Sequence, residues 1–240
     1  MLFTIITINL NNKFGLEKTF KSVQNQNFKD FEYIVIDGLS TDGSASFIQQ
    51  STFITNYLIE SDRGVYDAMN KGLNLAKGEY CIFLNSGDSL IDDTVLVEVA
   101  KKVDSKSDLY YGCLLWEDQM LPRWNPKRDF KLRNILRHSP TPHQATFYKT
   151  SALKEIGGYK SEYKIISDWG TLIDFIRAKK KIEKINIDIS ICELAGISNV
   201  NEMKILNERK HFLLKYHFSQ FLMFLIVPSI LRLKKILSVN

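Results

Sequence analysis

The chain has 240 residues, of which 45% are hydrophobic and 25% charged, and a net charge of +5. That length buries a full core, and that composition excludes a disordered or collagen-like chain. Cys81, Cys113 and Cys192 form no C-x-x-C pair, which argues against a disulfide framework or a thiolate zinc site and for a reducing cytosol. The charge is uneven: beyond residue 200 there are seven Lys/Arg against two Asp/Glu, which accounts for the whole excess. The rest is near neutral, which argues against a general nucleic-acid-binding surface.

Met1-Leu2-Phe3-Thr4 has no basic stretch before an apolar one and reads as the start of a strand rather than a leader. Phe3 to Leu10 is almost continuously apolar, as a central parallel strand should be. Leu16, Phe20 and Val23 recur at helical spacing over Leu16 to Gln26. Phe31 to Ile36 is a second strand, and the turn formers from Asp37 to Ser44 follow, with Ser44 placed to cap the next helix. Tyr57 to Glu60 is a third strand. Asp67 to Ala76 is a helix ended by Gly78. Tyr80 to Leu84 is a fourth strand, buried by its composition. Strand–helix alternation at this spacing predicts a parallel sheet with right-handed crossovers.

Beyond Asp88 the pattern loosens. Asp93 to Val103 is a helix capped by Asp92 or Asp93, Leu109 to Leu115 a strand, and Met120 to His138 a basic, Pro-interrupted loop. Thr146 to Tyr148 is β-like, Ser151 to Ile156 a short helix, Ser167 to Ala178 a strong helix and Lys184 to Ile191 a strand. From Asn201 onward the chain reads as helical and increasingly apolar.

Six places are candidates for chemistry. Asp37 stands at the end of the second strand, where a carboxylate can meet a base or ribose or simply close an Asx-turn. Ser61 to Gly72 gathers Asp62, Arg63, Asp67, Asn70 and Lys71 around one helix start, with Asp67 either a cap or the partner of Lys71 four residues on. Asn85-Ser86-Gly87-Asp88 ends a buried strand in a carboxylate suited to a divalent cation shared with phosphates, or to capping the next helix. Asp168, in a first helical turn, can act as general base or form part of a cap led by Ser167. His143 and Gln144, stiffened by Pro140 and Pro142, can meet a phosphate or only close a turn. Arg123, Lys127, Arg128, Lys131, Arg133 and Arg137 form a basic stretch that can face a phosphate-bearing acceptor or only water.

Taken in order, these segments are familiar. Ile5-Ile6-Thr7-Ile8-Asn9, Ser22 to Gln26, Ile36-Asp37-Gly38-Leu39-Ser40-Thr41-Asp42-Gly43, Gly64 to Gly72 and Gly78 to Asp88 together resemble the opening of family-two glycosyltransferases. His143-Gln144 and Ser167-Asp168 extend the likeness to about residue 178. The bacterial branch that builds O-antigen, capsule and exopolysaccharide is the most similar.

The resemblance implies an α/β GT-A fold, with a mostly parallel, Rossmann-like sheet flanked by helices. Residues 1–200 would form the transferase domain, with 1–90 holding the nucleotide-sugar and 91–200 the acceptor; residues 201–240 lie outside the likeness and read, from their own charge and apolar run, as a basic amphipathic helical tail. It implies a nucleotide-sugar site of Thr7, Asn9, Asp37, Asp67, Lys71, Asn85, Ser86 and Gly87. Asp88 would bind Mn²⁺ or Mg²⁺, Asp168 would deprotonate the acceptor hydroxyl, and His143, Gln144 and Trp169 would face the acceptor or its phosphates. The chain departs from the family pattern twice: Gly38 replaces a second acid after Asp37, and Asn85 and Ser86 stand where carboxylates are common.

The implied reaction is an inverting transfer from a nucleotide-sugar, UDP-linked by family frequency, to a polyprenyl-diphosphate-linked saccharide in surface-polysaccharide synthesis. A nucleotidyltransferase is the rival enzyme class, but Asn11-Asn12-Lys13-Phe14-Gly15 is a poor phosphate loop. A non-catalytic sugar-nucleotide-binding subunit is the other alternative. The tail, Phe212 to Leu237, has an apolar run shorter than the roughly 20 residues that span a bilayer. With Arg232, Lys234 and Lys235 beside it, it reads as a peripheral contact with an anionic inner membrane, or as a helix packed on the domain or in a dimer. Nucleic acid is not an expected partner, and the oligomeric state is open.

Overall fold

The computed structural model describes residues 1–117, 132–136, 142–193 and 202–222. In chain order the elements are β1 (Phe3–Asn9), α1 (Lys13–Gln24), β2 (Phe31–Asp37), α2 (Ser44–Gln50), β3 (Asn56–Ile59), α3 (Val65–Leu75), β4 (Tyr80–Asn85) and β5 (Ser89–Leu90). There follow α4 (Val95–Ala100), β6 (Leu109–Trp116), α5 (Leu132–Ile135), β7 (Thr146–Lys149), α6 (Thr150–Glu155), α7 (Ser167–Arg177), β8 (Ile182–Cys192) and α8 (Glu202–Tyr216).

The strands form one sheet in the order β3-β2-β1-β4-β7-β6-β8-β5. Its first half is parallel, as the alternation predicts: β1 pairs with β2 and β4, and β2 with β3. The second half is mixed. β7 runs antiparallel to both β4 and β6, β6 is parallel to β8, and β5 is antiparallel to β8. β7 begins directly after a 3-10 turn, His143–Ala145, and its direction is fixed by its pairing with β4 and β6.

Period-two alternation sends β1, β2 and β4 into two cores. Phe3, Ile5, Tyr33, Val35, Ile82 and Leu84 join Leu16 and Val23 of α1 on one face. Ile6, Ile8, Ile34, Ile36 and Phe83 join Met69 and Leu73 of α3 and Leu172 and Phe175 of α7 on the other. A third cluster packs Trp169 and Ile173 of α7 against Ile135, Leu136, Phe212 and Leu213, so α8 lies on α7. Residues 202–222 of the C-terminal segment thus follow the packed alternative, and 223–240 lie outside the described residues, as does most of the basic stretch from Met120 to His138.

The helix ends differ from expectation. Gly43, not Ser44, is the N-cap of α2, and Ser44 donates its hydroxyl to Asp42 at 2.6 Å. Gly64, not Asp67, occupies the N-cap of α3. α4 starts after Thr94, and Asp92 accepts the Thr94 N–H at 2.8 Å, closing a turn before the helix. Ile166 takes the N-cap position of α7, and the Ser167 hydroxyl accepts from Lys160 N at 2.6 Å. α3 ends at Ala76, and Gly78 is a close-approach glycine: a Cβ there would lie 2.6 Å from the Phe3 carbonyl carbon.

Candidate active site

The carboxyl ends of β1, β2 and β4 lie side by side, with Asn9 opposite Asp37 and Ile8 opposite Asn85. This is the edge where open α/β sheets bind ligands. Asp37 is fully buried. Its carboxylate accepts from Ser40 N at 2.8 Å, Ser40 Oγ at 2.7 Å and Asn9 Nδ2 at 2.7 Å. It therefore ties the loop after β2 to β1, and Asn9 Oδ1 is left buried without a partner. Thr7 is also fully buried and accepts from the Tyr33 hydroxyl at 3.0 Å, which places it in the core beneath this edge.

On α3, Asp67 pairs with Arg63, whose Nη2 lies 2.8 Å from Oδ1 and whose backbone N donates to Oδ2 at 3.1 Å. These bonds hold the Asp67 carboxyl below the usual carboxylate range. Lys71 sits 3.9 Å from Asp67 but reaches Ser61 O at 2.6 Å and Glu60 at 2.8 Å, so it braces the end of β3.

The loop after β4 is held from several sides. Ser86 N donates to Ile8 O at 3.0 Å. Thr19 of α1 donates its hydroxyl to Asp88 O at 2.6 Å and accepts from Gly87 N at 3.1 Å. Asp88 Oδ2 accepts from Asn85 N at 3.0 Å and Gln144 Nε2 at 3.1 Å. Asp88 is 5% exposed, and burial pushes its carboxyl above the usual range, opposed in part by His143. Asn85 Oδ1 is a buried carbonyl oxygen with no partner. Among the described residues no group of three or more His, Cys, Asp or Glu side chains is placed to hold a metal.

Asp168 comes to the same edge from α7. Its Oδ1 accepts from Trp169 N at 2.7 Å and lies 3.3 Å from the Tyr66 hydroxyl, and its Oδ2 lies 3.9 Å from His143 Nδ1. Both ring nitrogens of His143 are buried without a hydrogen-bond partner. The imidazole thus lies within electrostatic reach of Asp88 and beside Asp168. Trp169 is 1% exposed and donates its indole N–H to Ile135 O at 2.7 Å, which places it in the third core beneath Asp168. Sequence reasoning singled out neither Thr19 nor Tyr66. The Tyr in Gly64-Val65-Tyr66-Asp67 was the available signal.

The sequence matches the family described as "Glycosyl transferase family 2" over residues 4–161. The chain belongs to glycosyl transferase family 2. Among its family-2 relatives is a PGL/p-HBAD biosynthesis glycosyltransferase of Mycobacterium tuberculosis, 35% identical over 176 residues, which are 70% of this chain and 67% of that one. The Campylobacter jejuni GalNAc(5)-diNAcBac-PP-undecaprenol beta-1,3-glucosyltransferase is 30% identical over 125 residues, 50% of this chain and 40% of its own.

Solved structures with the same fold include S. aureus TarS 1-349 in complex with UDP-GlcNAc, with a TM-score of 0.70 at 20% identity. That match covers 92% of this chain and 72% of that one. A Pyrobaculum calidifontis mannosyltransferase in complex with GDP-Man and Mn²⁺ has a TM-score of 0.64 at 17% identity, over 92% of this chain and 64% of its own. These GT-A likenesses, with the mixed sheet and flanking helices, place the chain's α/β fold among glycosyltransferases, and the chain is a glycosyltransferase of family 2.

Proposed function

We propose that the chain transfers a sugar from a nucleotide-sugar, UDP-linked, to a polyprenyl-diphosphate-linked saccharide, with inversion, in the synthesis of a bacterial surface polysaccharide. The observation that carries this reading is that two carboxylates from different halves of the chain, Asp88 and Asp168, both lie within electrostatic reach of His143. A displacement at an anomeric carbon needs negative charge handled on one side and a base on the other. The UDP-GlcNAc bound to TarS supports the donor class, and the undecaprenol-linked acceptor named for the Campylobacter relative supports the acceptor class.

In this reading Asn9, Asp37 and Asp67 frame the nucleotide end, and the Ser86–Gly87 turn lies beside the diphosphate. Asp168 accepts the proton of the attacking hydroxyl, while Tyr66 and the Trp169 N–H orient its carboxylate. Gln144 fixes Asp88, and His143 lies 3.9 Å from Asp168 and within electrostatic reach of Asp88. Asp88 and the unpartnered Asn85 Oδ1 are hard oxygen donors that fit Mn²⁺ or Mg²⁺ once a diphosphate completes the shell. When bound, such an ion supplies charge neutralisation to the departing diphosphate.

No helix among the described residues is long and apolar enough to cross a membrane. We assign contact with an anionic inner-membrane surface to residues 223–240, which carry Arg232, Lys234 and Lys235 beside an apolar run. Flotation with anionic liposomes tests this, with residues 1–222 as the control because Phe212 and Leu213 are buried. Equal flotation of both forms contradicts it.

Substitution Asp168→Asn tests the chemistry. Transfer of labelled sugar from UDP-GlcNAc to a polyprenyl-diphosphate-linked saccharide should fall by about 10²–10⁴-fold, the contribution of a positioned base, with UDP affinity unchanged. Unaltered transfer contradicts the assignment.

A further inference from the structure

Asp37 is spent on its own loop: it is fully buried, and both of its oxygens are bonded to Ser40 or Asn9. The neighbouring position has no side chain. A Cβ added to Gly38 would lie 2.7 Å from Asp62 Oδ2 and 3.1 Å from Leu10 Cδ1. The place where a second acid of this loop would begin is therefore faced by a carboxylate from a different segment.

Asp62 follows β3, which runs alongside β2 with Ile59 opposite Asp37. Its Oδ1 accepts from Gly64 N at 2.8 Å, which fixes the carboxylate at the start of α3. Its Oδ2 makes no hydrogen bond to any described residue. Apolar surface flanks that oxygen. Leu10 is 59% exposed, and Leu39 is 53% exposed and held at φ 64°, a conformation that branched side chains rarely adopt. An oriented acceptor beside exposed Leu10, with exposed Leu39 next to Gly38 in the chain, at the end of a parallel sheet is suited to the edge of a flat heterocycle.

We propose that Asp62, rather than Asp37, reads the donor's nucleobase, its Oδ2 accepting an N–H from the base edge. A carboxylate is acceptor-only. It selects bases that donate at that edge, as uracil does from N3–H and guanine from N1–H, and disfavours cytosine, whose N3 is itself an acceptor. Asp37 becomes the residue that holds the loop. This assignment rests on the nucleotide-sugar reading of the site.

The test is isothermal titration of the full chain with UDP, GDP and CDP, in wild type, Asp62→Asn and Gly38→Ala. Asparagine keeps an oxygen for Gly64 N and replaces the other with a donor, so the helix start is preserved, and circular dichroism checks this. The Gly38→Ala methyl group would meet the same oxygen, at 2.7 Å before any adjustment. Wild type should bind UDP or GDP in preference to CDP. Both variants should lose about tenfold to a hundredfold for the preferred nucleotide, the worth of a hydrogen bond to a charged group, while CDP affinity holds or rises. Undiminished binding by Asp62→Asn overturns the proposal and leaves the donor reading intact. Equal losses for all three nucleotides overturn it by placing the contact on the ribose or phosphates. Failure of wild type to bind any nucleotide overturns both.

Discussion

The Tyr66 hydroxyl lies 2.8 Å from Ile165 O and 3.3 Å from Asp168 Oδ1, joining the first turn of α3 to that of α7. Tyr66 is 5% exposed, and burial, reinforced by the Asp168 charge, pushes its phenol well above the ordinary range, so it stays a proton donor at any working pH. Tyr66→Phe keeps the ring and removes the donor. We predict a fall in kcat of about tenfold, the cost of one hydrogen bond to a charged group, with donor KM unchanged. Steady-state kinetics at saturating acceptor separate this from lost nucleotide binding, which would raise KM instead.

Asp37 carries a prediction on stability. Asp37→Ala removes the acceptor of Ser40 N and of the Ser40 hydroxyl, and leaves Asn9 Nδ2 with Ser40 Oγ alone, at 3.1 Å. Groups left unsatisfied in this way cost about 1–3 kcal/mol each, so the loss should reach a few kcal/mol in urea unfolding. A loss within the scatter of surface substitutions would show that water replaces the carboxylate and that the loop is not held by it.

The packing of α8 on α7 is open to a double-mutant cycle. A Cβ on Gly170 would lie 2.5 Å from the Phe212 ring, and Phe212 is fully buried. Gly170→Ala should destabilise by about 1–3 kcal/mol through overpacking, and Phe212→Ala by about 3–5 kcal/mol through the cavity it leaves. The double variant should be milder than the two losses combined, because the alanine methyl enters the space the ring vacates. Strict additivity would mean that the two residues do not share that space.

Glu162 predicts an acid response. It bonds to the Tyr216 hydroxyl and to Lys215 Nζ at 3.1 Å, both at the end of α8. Burial raises its carboxyl, but the bonds from Tyr216, the backbone and Lys215 outweigh this and bring it down from 4.5 to about 2. A depressed folded value means stability that is present above the unfolded value and lost as pH falls through the folded one. The melting temperature should therefore drop between about pH 4.5 and about pH 2. Glu162→Gln should flatten that part of the curve, and identical slopes in the two proteins would refute the role of this anchor.

What the sequence made legible was local. Apolar runs that stop in polar turns placed β1, β2 and β4 with Asn9, Asp37 and Asp88 at their ends, because period-two burial and turn chemistry act over a few residues. The antiparallel course of β7 was not legible, since it is set by pairing with β4 and β6, distant in sequence, rather than by the strand's own residues. Nor were the supports of the site. Thr19 reaches the loop after β4 across 69 positions and Tyr66 reaches Asp168 across 102, and no local pattern encodes such pairs. Trp169 was legible as a neighbour of Asp168, but its burial against Phe212 depends on a helix that returns from the far end of the chain.

The central claim is that this sheet edge holds a nucleoside diphosphate together with a divalent cation. Isothermal titration with UDP and with GDP, each with and without Mn²⁺, tests it most directly. The account predicts saturable binding of one of them, UDP by preference, made tighter by Mn²⁺, with Asp88→Ala abolishing the metal's contribution. Binding of neither nucleotide, with or without metal, would contradict it.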